Sequence, residues 1–141
     1  MTALGAALDA LRAVPVAPDR LNLPTPCADF DVRGLLTHVV GRHHVFAACP
    51  TGTAQQGDST HVLGDPAADL RESSAALLAA VDTAPAFADP PYRGRTAVPV
   101  LVAELVAETV LHGWDLATET GGGAGRAGLV ARSGRDPEWS P

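Results

Sequence analysis

The chain has 141 residues, 46% of them apolar, which is enough for one domain with one buried core. It contains no apolar run of about eighteen residues, so a transmembrane helix is not expected. Its net charge is −6 and it has no lysine. Nucleic acid is therefore excluded as an expected partner, because phosphate binding needs clustered basic side chains.

The start of the chain, residues 1–4, has neither a basic region nor a long apolar segment behind it. We therefore expect no signal peptide and a cytoplasmic location. In a reducing cytosol, Cys27 and Cys49 are expected to stay thiols rather than form a disulfide. Their spacing also matches no zinc ribbon or zinc finger.

Four segments carry apolar residues at helical spacing, and loops rich in proline or glycine separate them. Asp31 and Asp65 stand where a helix N-cap is expected, and Gly121-Gly122-Gly123 would end the last helix. The predicted helices cover residues 2–14, 32–48, 66–82 and 98–119, and the predicted loops cover 15–30, 50–64 and 83–97.

Strand signals are scarce, so the expected fold class is all-α, a four-helix bundle. We place the bundle at residues 1–123. Residues 124–141 are expected to form a short irregular tail, with room for one short helix near 126–132.

The fourth predicted helix carries a candidate metal site. Glu108 and His112 are one turn apart and share a narrow stripe with Leu101, Leu105 and Leu116. These leucines predict that the stripe is buried, and a buried carboxylate is costly unless a cation or hydrogen bonds compensate it. The chain has no lysine and this helix has no arginine, so a metal ion would satisfy both side chains. The alternative is that Glu108 and His112 only hydrogen-bond each other.

His38 adds a third candidate ligand from the second predicted helix. It shares an apolar stripe with Leu35 and Val45, where a lone histidine is more often a hydrogen-bonded core residue. Together with Glu108 and His112, however, it completes a set of two imidazoles and one carboxylate. That set suits Zn²⁺ with an open coordination position, and Ni²⁺ and Fe²⁺ are the alternatives.

Two motifs make the chain similar to a known group of proteins. Residues 23–41 read LPTPCADFDVRGLLTHVVG, and residues 108–117 read ETVLHGWDLA; a weaker echo is GRDPEW at 134–139. The chain thereby resembles the DinB-like superfamily, and within it the metal-binding domain of mycothiol-dependent maleylpyruvate isomerases. The resemblance implies a DinB-like four-helix bundle with His38, Glu108 and His112 as the metal ligands.

The resemblance also implies a function. The protein would be a divalent-metal-binding transferase or isomerase that uses mycothiol as cosubstrate. It would act on a small electrophilic molecule through a metal-bound thiolate, because coordination deprotonates a thiol. Metal-activated water for hydrolysis is the variant within the enzyme class.

The alternative function is a non-catalytic metal- or ligand-binding module that has lost the C-terminal part needed for activity. In the relatives, a longer helical segment precedes Gly-Arg-Asp-Pro, and the isomerase carries a further C-terminal domain. Apolar surface exposed by such a loss would be covered by formation of a homodimer.

Two further side chains are candidates for roles beside the site. Asp115 follows His112 by three residues and would orient it, unless it pairs with an arginine instead. Arg42 follows His38 by one turn and would bind an anionic substrate or thiol; the alternative is a solvated or ion-paired side chain.

The remaining candidate residues are not expected to be metal ligands. Trp114 is expected to pack against a neighbouring helix, and His43 and His44 to lie at the surface or the rim of the site. Cys27 is expected to be a small buried packing residue rather than a nucleophile, because no basic neighbour lowers its pKa. His61 is in a polar loop and is expected to approach the site only by chance. Tyr92, Arg93 and Arg95, in the loop before the last helix, are candidate contacts to the site.

Overall fold

The structure is a computed structural model that describes residues 1–49 and 63–120. The described part is helical, which confirms the predicted all-α fold class. The predicted tail and His61 lie outside the described residues. The helices are α1 (Ala3–Arg12), α2 (Val32–Ala48), α3 (Pro66–Asp82) and α4 (Val98–Thr120).

The helix starts follow from local hydrogen bonding. The Asp31 carboxylate accepts a hydrogen bond from the backbone N–H of Gly34 at 2.7 Å, and the Asp65 carboxylate accepts from Ala67 and Ala68. Each cap satisfies N–H groups that have no partner inside the helix. Both predicted caps are confirmed, and the bounds of α2 and α3 coincide with the predicted segments.

Three short elements were not predicted. A single 3₁₀ turn covers Pro18–Arg20, and strands β1 (Phe87–Ala88) and β2 (Thr96–Ala97) form a small antiparallel hairpin before α4. The turn between the strands needs Gly94, whose φ of +82° is costly for any residue with a Cβ. Elements of two or three residues are too short to produce a periodic sequence signal.

The four helices bury two apolar clusters, one at each end of the bundle. In the bundle, α2 packs mainly against α3, and α1 mainly against α4. The first cluster contains Leu4, Leu8, Val45, Phe46, Cys49, Leu77, Ala88, Leu101 and Leu105. The second contains Leu11, Leu21, Val32, Leu35, Leu36, Val39, Val40, Leu70 and Leu116.

The segment before α2 folds into a tight turn that fixes Phe30. The Thr25 hydroxyl lies 2.7 Å from the carbonyl oxygen of Phe30 and 2.9 Å from that of Cys27. The backbone N–H of Val32 donates to the carbonyl of Leu23. These bonds anchor the loop directly against the start of α2.

No helix in residues 1–49 and 63–120 is long and apolar enough to cross a membrane.

Candidate functional site

A cavity between α2 and α4 brings together five of the side chains singled out from the sequence, one of which is His43 on α2. His38 and Arg42 line it from α2, and Glu108 and His112 line it from α4. The cavity lies between the two apolar clusters, so the polar side chains interrupt an otherwise apolar contact between the helices. The spacing along each helix predicted one face for its residues, and in the structure these two faces meet at the cavity.

His38 is held between two rings. Its imidazole stacks on Phe30, with 5.1 Å between ring centroids. The His112 ring meets it edge-on from α4, with 5.2 Å between centroids. The turn at Thr25 thus affects the site directly, because it fixes the position of Phe30, whose ring stacks on His38.

His112 is mostly buried, and among residues 1–49 and 63–120 its Nδ1 atom has no hydrogen-bond partner. The nearest carboxylate oxygen, Oδ2 of Asp115, lies 3.6 Å away, beyond hydrogen-bond distance. Burial lowers the pKa of His112, and His38 beside it lowers it further, while Asp115 and Glu108 act in the opposite direction. At neutral pH, His112 is therefore a neutral imidazole with a lone pair available for bonding.

Glu108 differs from expectation in two ways. Its side chain is 38% exposed rather than buried, and it has a basic partner: Nη2 of Arg42 lies 3.4 Å from its Oε1. The sequence argument considered arginines on α4 only, whereas the partner comes from α2. The prediction that Glu108 has no cationic partner other than a metal is therefore wrong.

Arg42 is fixed in place by aromatic rings as well as by Glu108. Its guanidinium carbon lies 4.8 Å from the centre of the Phe46 ring and 4.7 Å from that of Tyr92. Burial acts to lower the pKa of Arg42, but Glu108 and Tyr92 outweigh it, and the pKa is raised above its usual value. Of the two alternatives for Arg42, the ion-paired side chain is the one observed. Tyr92 reaches the site from the β1–β2 loop.

The donor atoms surround the cavity without converging on a single point. Within the described ranges, no three His, Cys, Asp or Glu side chains are close enough together to hold a metal ion as they stand. The chemistry of the site nevertheless fits a metal. Two imidazoles and a carboxylate, side chains that divalent metals accept as ligands, line one cavity.

Three sequence expectations are corrected by the structure. His43 is buried, only 2% exposed, because α3 covers that side of α2. Trp114 is 56% exposed rather than buried against a neighbouring helix. Cys27 is half-buried rather than buried. His44 is exposed, as expected.

His43 forms a hydrogen bond across the α2–α3 contact. Its Nδ1 lies 3.1 Å from the Ser73 hydroxyl oxygen, and that hydroxyl in turn donates to the carbonyl of Leu70. Which of the two groups donates in the His43–Ser73 bond depends on the tautomer of the imidazole. Burial lowers the pKa of His43 to about 4.

Acid is therefore expected to destabilise the protein through His43. Between pH 6.5 and about 4, the unfolded chain binds a proton at this position and the folded chain does not. The free energy of unfolding should fall with decreasing pH across that window, by on the order of 3 kcal/mol from this group at most. Urea unfolding of wild type and His43→Gln at several pH values checks this. An equally steep fall in the variant would show that other groups are responsible.

Comparison with protein families identifies the chain. Residues 1–117 match the model of the mycothiol maleylpyruvate isomerase N-terminal domain. The chain belongs to this family. Comparisons with curated proteins and with solved structures give no match.

Membership of the mycothiol maleylpyruvate isomerase N-terminal domain family confirms the resemblance and the DinB-like helical fold. The matched residues include both motifs that carried the resemblance. Metal binding, the identity of the metal and the ligand set stay predictions.

Two features of this family member were missed by sequence reasoning. The first is the support of His38 by Phe30, for which the only signal was the aromatic residue in CADF. The second is the pairing of Arg42 with Glu108. Its signal was the position of Arg42 one turn after His38, which places both side chains on one face of α2.

Proposed function

We propose that this domain binds a divalent metal ion through His38, Glu108 and His112 and uses mycothiol as its cosubstrate. The reaction would be transfer to, or isomerisation of, a small electrophilic molecule. The observation that carries this proposal is the meeting of the two imidazole rings, 5.2 Å apart, in one cavity with Glu108. Zn²⁺ is the first candidate, with Ni²⁺ and Fe²⁺ as alternatives.

The surrounding residues suit a site of this kind. The depressed pKa of His112 keeps its ring neutral, which is the form that coordinates metals. Asp115, on the Nδ1 side of that ring, is positioned to fix its orientation with a small movement. When bound, a divalent metal would lower the pKa of a coordinated thiol, so that a thiolate forms at neutral pH.

Arg42 supplies a second element of substrate binding. Its guanidinium is always charged, packs against the rings of Phe46 and Tyr92, and lines the same cavity as the proposed ligands. Its Nε–H is buried and has no hydrogen-bond partner in the described part of the chain. A carboxylate on the thiol or on the electrophile would satisfy that donor.

The second candidate function is a binding module without catalysis. The observation in its favour is that Arg42 already forms an ion pair with the carboxylate of Glu108. This leaves only the imidazoles of His38 and His112 for a metal or ligand. A cytoplasmic location is part of both proposals, because low-molecular-weight thiols are kept reduced there.

Consumption of mycothiol distinguishes the two functions. The full chain, purified without a chelating tag, is loaded with Zn²⁺, Ni²⁺ or Fe²⁺ and incubated with mycothiol and a bimane or dinitrobenzene electrophile. We expect turnover that depends on the metal and is lost in Glu108→Gln. Glu104→Gln is the matched control, because Glu104 is on the same helix but pairs with Arg93. Stoichiometric metal without turnover across the panel would support the binding module instead.

A further inference from the structure

Helix α4 carries a second apolar stripe that the bundle does not cover. Val100 is 47% exposed, and Val110 and Trp114 are each 56% exposed. Three exposed alanines continue the same stripe. We name this stripe the α4 seam, and its members are Val100, Ala103, Ala107, Val110, Trp114 and Ala117.

The spacing of the α4 seam indicates what kind of surface it fits. Successive members are separated by three, four, three, four and three residues, which is the heptad pattern with a mean period of 3.5. The buried residues of the same helix, such as Leu105 and Leu116, lie on its other side. A seam with this period, without a charged member, is complementary to another α-helix.

Residues 121–141 offer few large apolar side chains to the seam. The seam runs from residue 100 to residue 117, roughly 26 Å along the helix. The residues after α4 begin with three glycines, and their large apolar side chains are only Leu129, Val130 and Trp139. A second copy of α4 instead has the required length and the same heptad pattern.

The seam is also complementary to itself in one orientation. If two α4 helices cross antiparallel about a two-fold axis next to residue 108, Val100 faces Ala117 of the second copy. In the same way Ala103 faces Trp114, and Ala107 faces Val110. Every alanine then meets a larger side chain, so the layers fill evenly. A parallel pair would instead place Trp114 against Trp114 and alanine against alanine.

From this match in period, length and side-chain size, we propose that two copies of this chain dimerise through antiparallel α4 seams. The interface is isologous, so each substitution acts twice. The proposal is independent of the metal and the reaction. It assigns the α4 seam as the surface that a homodimer would bury.

Sedimentation velocity and light scattering of the full chain test the proposal. Wild type is expected to be a dimer at micromolar concentration. Ala107→Glu should weaken dimerisation by at least about 100-fold, because it buries two like charges near the symmetry axis. Ala75→Glu is the matched control, an equally exposed helical alanine on α3, and should remain dimeric.

Cross-linking tests the antiparallel register. Chains carrying Ala107→Cys and chains carrying Val110→Cys, both in a Cys27→Ser background and differing in mass, are mixed and oxidised. Mixed disulfides should exceed those between identical chains. A monomeric wild type, a dimeric Ala107→Glu variant or a preference for identical pairs would each overturn the proposal. So would a wild type that dimerises only after residues 124–141 are removed.

Discussion

Replacing His112 with alanine is expected to abolish stoichiometric metal binding by this protein. Under the proposed function, the substitution removes one of three protein ligands. Loss of an outer hydrogen-bond partner alone typically costs about 10- to 100-fold in affinity, so loss of a ligand should exceed 100-fold. His38→Ala should have the same effect from α2. Elemental analysis of protein purified without a chelating tag, together with calorimetric titration of Zn²⁺, measures both variants.

The matched control for the histidine variants is His44→Ala. His44 is on the same helix as His38 but is exposed, and it does not line the cavity. Its metal content should equal that of wild type. Full metal occupancy in both His38→Ala and His112→Ala would rule out the assigned ligands. Loss of metal in all three variants would point to a surface histidine site instead.

Replacing Leu35 with alanine is expected to cost about 3 kcal/mol of stability, within the usual range of about 2–5 kcal/mol for a buried leucine. Leu35 is fully buried in the second apolar cluster, three residues before His38. Such a loss is a large share of the roughly 5–15 kcal/mol that stabilises a domain. Urea unfolding monitored by circular dichroism measures it.

The comparison for Leu35→Ala is Arg33→Ala, on the exposed side of the same helix. That variant should change the free energy of unfolding by less than about 0.5 kcal/mol. If both variants lose the same stability, the loss does not come from the apolar cluster.

Local signals explain why the helices could be predicted well. α2 follows Asp31, and α3 follows Asp65 with Pro66 in its first turn, so capping chemistry fixed both starts. The hairpin β1–β2 could not be found in the same way. Its two-residue strands depend on a single tight turn at Gly94 and on packing against α4.

Burial was harder to predict than helix position, because two helices are apolar on more than one side. α2 contacts both α3 and α4, so His43 is buried even though it points away from His38. α4 has a stripe inside the bundle and another outside it, and Trp114 belongs to the outer one. A helical wheel assigns residues to stripes, but it does not say which stripe meets a neighbour.

The sequence predicted which side chains line the cavity, but not which of them pair with each other. His38, Glu108 and His112 reach one cavity because each follows the period of its own helix. The contact between Arg42 and Glu108 depends on how α2 and α4 are aligned, which the residues of one helix do not encode. The sequence therefore identified the carboxylate but not its cation.

Arg42 would compete with a metal ion for the carboxylate of Glu108, because it already forms an ion pair with that group. Phe46 and Tyr92 hold the guanidinium beside Glu108. Under the proposed function, a divalent ion would have to displace this counter-ion, and the free energy of that exchange would be subtracted from its affinity. The raised pKa of Arg42 keeps the guanidinium charged throughout the physiological pH range, so the competing charge does not change with pH.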